Sequence, residues 1–248
     1  KEVFTDHVVW NQKAQALAEA FWPGPLTMVL PRVPSSALSL LVSAGLPSLA
    51  IRVPNHPLAL SLLEAYGAPL AAPSANLSGR ISPTQAQHVA EDFPDLFILD
   101  GGETTVGLES TIIDLTTSHP VLLRPGGLSQ EQIEDVIGRL DTSPQNTIKA
   151  PGMMTSHYAP ALPLRLNALE PCPGEAYLAF GPTSYEGQHV LNLSLTGNLK
   201  EAAANFFKML RSLDCPSYDG IAVSPIPPKG LGLALNDRLT RAAAPRGL

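Results

Sequence analysis

At 248 residues the chain can bury a sizeable core and hold one or two domains. Charged residues make up 15% and the net charge is −6, and residues 14–148 contain no Lys and only Arg32, Arg52, Arg80, Arg124 and Arg139. That is too few cations to neutralise a broad stretch of nucleic-acid backbone, so no stable nucleic-acid binding is expected. Any anion held in this half must use those arginines and backbone N–H groups.

Residues 11–22 place Ala14, Leu17, Ala18 and Phe21 at helical spacing, and Pro23 ends the helix. Trp22-Pro23-Gly24-Pro25 reads as a rigid turn and residues 27–30 as a strand. Residues 48–53 (SLAIRV) form a β-rich run carrying Arg52. Such an Arg either points to solvent, which composition favours, or is reserved for an anion. Residues 57–66 read as a helix closed by Gly67, and 69–72 as a short strand.

The stretch 71–84, AAPSANLSGRISPT, is small, polar and backbone-permissive between Pro73 and Pro83. Ser82 as N-cap, Pro83 at the first helical position and Gln85 in the capping-box place predict a helix over 83–91. The loop is open to two readings, an anion site facing a helix start or a plain strand–turn–helix connection. Residues 96–100 read as a strand running into Gly101-Gly102, followed by strands at 111–115 and 121–123. Ser129 and Gln132 form a second capping box, opening a helix to about residue 140. Ser110 and Arg124 lie at strand ends, where α/β sheets contact ligands. Glu109 reads as a base, a metal ligand or a structural carboxylate.

Residues 141–150 read as a linker. The following PGMMTSHYAP carries His157 and Tyr158, which either pack on a neighbouring domain or reach over a ligand. From residue 162 the pattern restarts, with strands at 162–166, 176–180, 189–193 and 220–223 and helices at 199–213 and 231–243. Strands alternating with helices predict a small α/β domain with a largely parallel sheet. Gly230-Leu231-Gly232 is a weak phosphate motif. Cys172 and Cys215 have neither metal nor redox spacing and suit a reducing, cytoplasmic setting. No apolar run is long enough to span a membrane, and no signal peptide is expected.

Several separated stretches resemble one family: FWPGPLTMVL at 21–30, SAGLPSLAIRVP at 43–54, residues 71–84, LDGGETTVGLESTIID at 99–114 and LLRPGG at 122–127 are similar to the YrdC family. APGMMTSHYAP at 150–160 and GLGLALNDRLTRAA at 230–243 resemble the linker and C-terminal domain of its two-domain members. The resemblance implies an α/β chain: a twisted mixed-sheet YrdC-like synthase domain at 1–145, a linker over the active site at 146–161, and a small Rossmann-like α/β domain at 162–248. The chain opens on Lys1. The family's N-terminal part, with a Thr-rich strand–turn and a Lys/Arg-containing segment, is expected to be missing and the synthase domain incomplete.

By the same resemblance the activity is that of a nucleotidyltransferase. It forms threonylcarbamoyl-AMP and pyrophosphate from L-threonine, bicarbonate and ATP, with Mg2+ on the nucleotide, and feeds tRNA threonylcarbamoyl-transfer proteins. Ser48, Arg52, Ala72 and Ser110 would meet threonine. Ser74, Asn76, Ser82, Arg124, His157 and Tyr158 would hold ATP. No side chain serves as covalent nucleophile; Arg52 and Arg124 position and neutralise charge, and metal ligands are left unassigned. Pro47-Ser48 replaces the family's Asp-Thr but keeps a hydroxyl, whereas Met154-Thr155-Ser156 replaces basic residues and a Tyr. The alternative is a non-catalytic module of the same fold that binds nucleotide or double-stranded RNA.

Overall fold

The computed structural model describes residues 2–141 and 157–245. The expected linker therefore lies outside the described residues up to position 156, including Met154, Thr155 and Ser156. In chain order the elements are α1 (Glu2–Thr5), α2 (Gln12–Phe21), β1 (Leu26–Pro31), a 3-10 turn (Leu40–Ser43), β2 (Ser48–Ile51), α3 (Pro57–Tyr66), α4 (Ala86–Asp92), β3 (Thr111–Asp114), β4 (Val121–Arg124), α5 (Gln130–Ile137), β5 (Leu164–Arg165), β6 (Glu175–Ala179), β7 (Val190–Asn192), α6 (Leu199–Leu213), β8 (Gly220–Val223) and α7 (Leu231–Ala243). They form two compact units: Lys1–Pro73 with Glu109–Met153, and Ser74–Leu108 with Met154–Leu248.

The first unit is built on a mixed sheet of order β2-β1-β3-β4. β1 pairs antiparallel with β2 and parallel with β3, and β3 pairs antiparallel with β4. The strand period of two splits β1 between the faces. Leu26, Met28 and Leu30 join Leu17, Ile113 and Ile133 in one core. Val29 packs with Ile112, Val121 and Leu123 in another cluster, and Thr27 shares Val29's side by alternation. Helices α2 and α5 pack together. Asn11 caps α2 by accepting from the Ala14 N–H at 2.8 Å. The Ser129–Gln132 capping box of α5 forms as the sequence predicts, with Gln132 N–H to Ser129 Oγ at 3.3 Å and Ser129 N–H to Gln132 Oε1 at 3.1 Å. Helix α3 ends at Gly67 in the left-handed conformation (φ 69°), as expected, yet none of its residues is buried.

The second unit holds an all-parallel sheet of order β5-β8-β6-β7. Its core joins Leu178 and Ile221 to Phe206, Phe207 and Leu210 of α6 and Leu235 and Leu239 of α7. Burying each such side chain is worth roughly 1.5–3 kcal/mol, so these seven outweigh any single polar contact in the unit. Asn198 caps α6 through the N–H groups of Lys200 and Glu201, at 2.9 and 3.1 Å. Gly232 is explained by packing, because a Cβ there would collide with the Pro227 carbonyl oxygen. The weak phosphate motif is thus a close helix approach.

Four local expectations are corrected. The helix predicted over 83–91 begins at Ala86, and its N-cap is Gln85, which makes no side-chain cap. The Thr84 N–H instead donates to His88 Nδ1 at 3.2 Å, and Arg211 Nη2 donates to the Ile81 carbonyl at 2.9 Å. Those contacts hold residues 81–84 out of helix. Burial, then Arg211, lowers the His88 pKa, which keeps Nδ1 an acceptor at neutral pH. Residues 96–100 form no strand; Leu96, Phe97 and Leu99 are exposed, and β propensity without a pairing strand fixes nothing. Residues 69–72 are likewise irregular and mostly exposed. Arg52 lies just past the end of β2 instead of inside it.

Candidate functional site

In the first unit, strand ends and one turn bring Arg52, Ser110 and Arg124 into one neighbourhood. Arg124 closes β4 and is buried. Its Nη2 donates to the Ser110 carbonyl at 2.8 Å and lies 3.3 Å from Ser110 Oγ, while its Nε reaches the same carbonyl at 3.3 Å. Ser110 Oγ in turn shares a buried hydrogen bond of 2.7 Å with Thr27 Oγ1. The loop after β4 approaches closely because Gly126 has no side chain; a Cβ there would strike the backbone of Glu109, Ser110 and Thr111.

Arg52 leaves β2 and donates through Nε to the Gly24 carbonyl at 3.0 Å. The Gly24 N–H donates to the Val53 carbonyl at 2.9 Å, so the turn after α2 grips the strand end on both sides of Arg52. Partial burial and, after it, the positive charge of Arg124 lower the Arg52 pKa. Both groups still carry charge at neutral pH, and among the described residues Arg52 forms no ion pair with a carboxylate. Two mutually repelling guanidiniums beside paired hydroxyls are an arrangement that an anion relieves. Ser48 opens β2 and Ala72 is exposed on the irregular stretch before Pro73, both in the same unit.

Ser74, Asn76, Ser82, His157 and Tyr158 fall in the second unit. Asn76 Nδ2 closes its own loop on the carbonyls of Leu77 (2.8 Å) and Arg80 (3.1 Å). Its Oδ1 is shielded and accepts from none of the described residues. Ala75 (φ 53°) and Gly79 (φ 78°) give the loop its two left-handed bends. Ser82 is buried and Ser74 exposed. The Ala159 N–H donates to the Gly79 carbonyl at 2.8 Å, tying the residues after Tyr158 to this loop. A hollow of about 200 Å3 bounded by Thr84, Val89, Leu99 and Thr104 contains none of these side chains.

Sequence reasoning missed Thr27 and the Gly24 carbonyl. The signal for Thr27 was available: it is the polar member of an otherwise apolar strand. No sequence pattern marks a main-chain carbonyl as the acceptor that aims an arginine. Among the described residues no group of three or more His, Cys, Asp or Glu side chains could hold a metal ion. No helix among them is long and apolar enough to cross a membrane.

The class so defined is an α/β protein that offers two arginines and a hydroxyl pair to an anion. Residues 2–126 match the family described as Telomere recombination, and residues 128–244 match Threonylcarbamoyl-AMP synthase, C-terminal domain. Threonylcarbamoyl-AMP synthase of Pyrococcus abyssi is 43% identical over 95% of this chain and 75% of its own length. That of Bacillus subtilis is 42% identical over 95% of this chain and 74% of its own length. The crystal structure of P. abyssi Sua5 complexed with L-threonine superposes with a TM-score of 0.86 at 40% identity, covering 98% of this chain and 77% of that one. The chain belongs to the threonylcarbamoyl-AMP synthase family.

Proposed function

We propose that the chain makes threonylcarbamoyl-AMP and pyrophosphate from L-threonine, bicarbonate and ATP. The observation that carries this reading is the pairing of Arg52 and Arg124 beside the Ser110–Thr27 hydroxyls, on a chain of this family. Arg52 pairs the carboxylate of threonine, a job its planar fork suits. Ser48, Ala72 and Ser110 surround the amino acid. The threonine amine first takes up bicarbonate as a carbamate with loss of water. A carbamate oxygen then attacks the α-phosphate, a new P–O bond forms, the α–β bridge breaks and pyrophosphate leaves. Such a step needs positioning and neutralisation of charge more than a nucleophilic side chain. Arg124 supplies a fixed positive charge toward the phosphates. Ser74, Asn76, Ser82, His157 and Tyr158 hold the nucleotide, and the shielded Asn76 Oδ1 supports that reading by offering an acceptor.

Mg2+ arrives with ATP, supplying charge neutralisation on the phosphates. Such an ion would need no cage of protein carboxylates. The proposed division into synthase domain 1–145, linker 146–161 and C-terminal domain 162–248 draws support from α5, which packs on α2 of the first unit. The parallel order of the second sheet supports a Rossmann-like C-terminal domain. The free Cys172 and Cys215 suit the cytoplasm, where tRNA threonylcarbamoyl-transfer proteins would consume the product.

The test is pyrophosphate release from Mg·ATP, with threonine and bicarbonate each present or omitted. Release that requires both supports the reading. Nucleotide binding without release, in a folded protein, overturns it in favour of a non-catalytic binding module.

A further inference from the structure

The side chain of Arg238, in the middle of α7, is fully buried. Its guanidinium carbon lies 5.3 Å from the centroid of the Tyr158 ring. Asp237 bridges two arginines of the helix, accepting from Arg238 Nη1 and from Arg241 Nε at 3.0 Å each. The carbonyl of Arg241 accepts the His157 N–H at 3.3 Å. One stretch of α7 therefore grips two successive residues, His157 by its main chain and Tyr158 by its ring. Tyr158 also meets the rings of His157, at 4.0 Å, and Phe207, at 5.6 Å. Its φ of 62° is a conformation that a bulky side chain does not adopt unaided. The next residue, Ala159, bonds Gly79 of the 71–84 loop.

We propose that Arg238 is a positioning residue for nucleotide binding: its buried guanidinium, laid over the Tyr158 ring and fixed by Asp237, holds residues 157–159 in the strained conformation that braces the 71–84 loop. The proposal rests on the reading that Tyr158 and that loop meet ATP. A buried charge on an aromatic face is costly unless its partners are fixed, and here Asp237 and the ring fix it. An aliphatic side chain of the same volume would fill the space but could not orient the ring.

The experiment measures binding of Mg·ATP and of L-threonine by calorimetry, with thermal unfolding alongside, for the wild type, Arg238→Gln, Arg238→Lys, Tyr158→Leu and the double variant Arg238→Gln/Tyr158→Leu. The expected result is an ATP Kd raised about thirtyfold in Arg238→Gln, the size of one desolvated cation–π contact. Threonine binding stays within about twofold, because the residues assigned to it lie in the other unit. Arg238→Lys restores part of the ATP affinity, since it keeps the charge but not the planar stack. The double variant is no worse than Tyr158→Leu alone, because the two act through one contact.

A folded Arg238→Gln with wild-type ATP affinity overturns the proposal, as do additive losses in the double variant or equal losses for ATP and threonine. Should Arg238→Gln fail to unfold cooperatively, the cycle of Arg238→Lys against Tyr158→Leu decides, additivity again overturning the proposal. If Tyr158→Leu itself leaves ATP binding unchanged, the functional reading of Tyr158 fails and takes the proposal with it. If Tyr158→Leu weakens ATP binding and Arg238→Gln does not, only the proposal fails.

Discussion

Thr27 and Ser110, eighty-three residues apart in the chain, share a buried hydroxyl–hydroxyl hydrogen bond of 2.7 Å. The pair stands between the sheet's interior and the arginines, since Ser110 Oγ is also 3.3 Å from Arg124 Nη2. Thr27→Val keeps the shape and removes one partner. It is expected to lower the unfolding free energy by about 1 kcal/mol, measured by urea denaturation, and to weaken threonine binding. Unchanged stability with unchanged binding would remove Thr27 from the site.

The two arginines separate under mutation. Arg52 projects past a strand end and its removal leaves no buried partner stranded except the Gly24 carbonyl. Arg52→Ala is expected to abolish pyrophosphate release with a melting temperature close to wild type. Arg124 is buried and carries the Ser110 carbonyl. Arg124→Ala is expected to abolish release and also to cost roughly 1.5–3 kcal/mol of stability, as loss of a hydrogen bond to a charged group does. Substantial turnover in either variant would refute that residue's role.

Gly126→Ala tests the close approach of the loop after β4. The added methyl would meet the Ser110 carbonyl carbon and the Thr111 nitrogen at 2.5 Å, and main chain cannot swing aside as a side chain can. A destabilisation of about 1–3 kcal/mol is expected from overpacking, together with weaker threonine binding as Ser110 shifts. A melting curve identical to wild type would mean that the loop is free to withdraw.

Acid sensitivity has a specific source in the second unit. Arg165 Nε donates to Glu175 Oε1 at 2.9 Å and the Cys172 N–H to Glu175 Oε2 at 2.7 Å. Chiefly through the Arg165 bond, the Glu175 pKa falls from its ordinary 4.5 to about 2. A carboxyl depressed in the folded state contributes stability fully above the unfolded value and loses it as pH falls through the folded one. Glu175→Gln is therefore expected to be less stable than wild type at pH 7, with the gap closing between pH 4.5 and about 2. A gap that stays constant across that range would show that the pair adds nothing.

Sequence legibility followed locality. The Ser129–Gln132 box and the Gly67 cap need only neighbours three or four residues away, and both are where the sequence puts them. Ser82-Pro83 carried an equally strong local signal and failed, because His88 and Arg211 claim the backbone of residues 81–84. LFILD at 96–100 has strand composition but no pairing partner among the described residues. At the site, Arg52, Ser110 and Arg124 were legible as a resemblance to known motifs, and the geometry adds how they are aimed. The aiming groups, the Gly24 carbonyl and Thr27, come from the far side of long sequence gaps, and no local pattern encodes them.

The bond from Ala159 to Gly79 joins main chain to main chain. Replacing the Ala159 side chain leaves both donor and acceptor in place, so side-chain substitution at 159 would pass over this link and report the segment as unimportant. Proline at 159 would delete the donor, while the stretch already reads Ala159-Pro160 and tolerates one ring beside it. Position 159 can therefore drift among non-proline residues without loosening the loop, whereas position 79 is tied to glycine by its φ of 78°, so the tether is inherited through backbone path at one end and residue identity at the other.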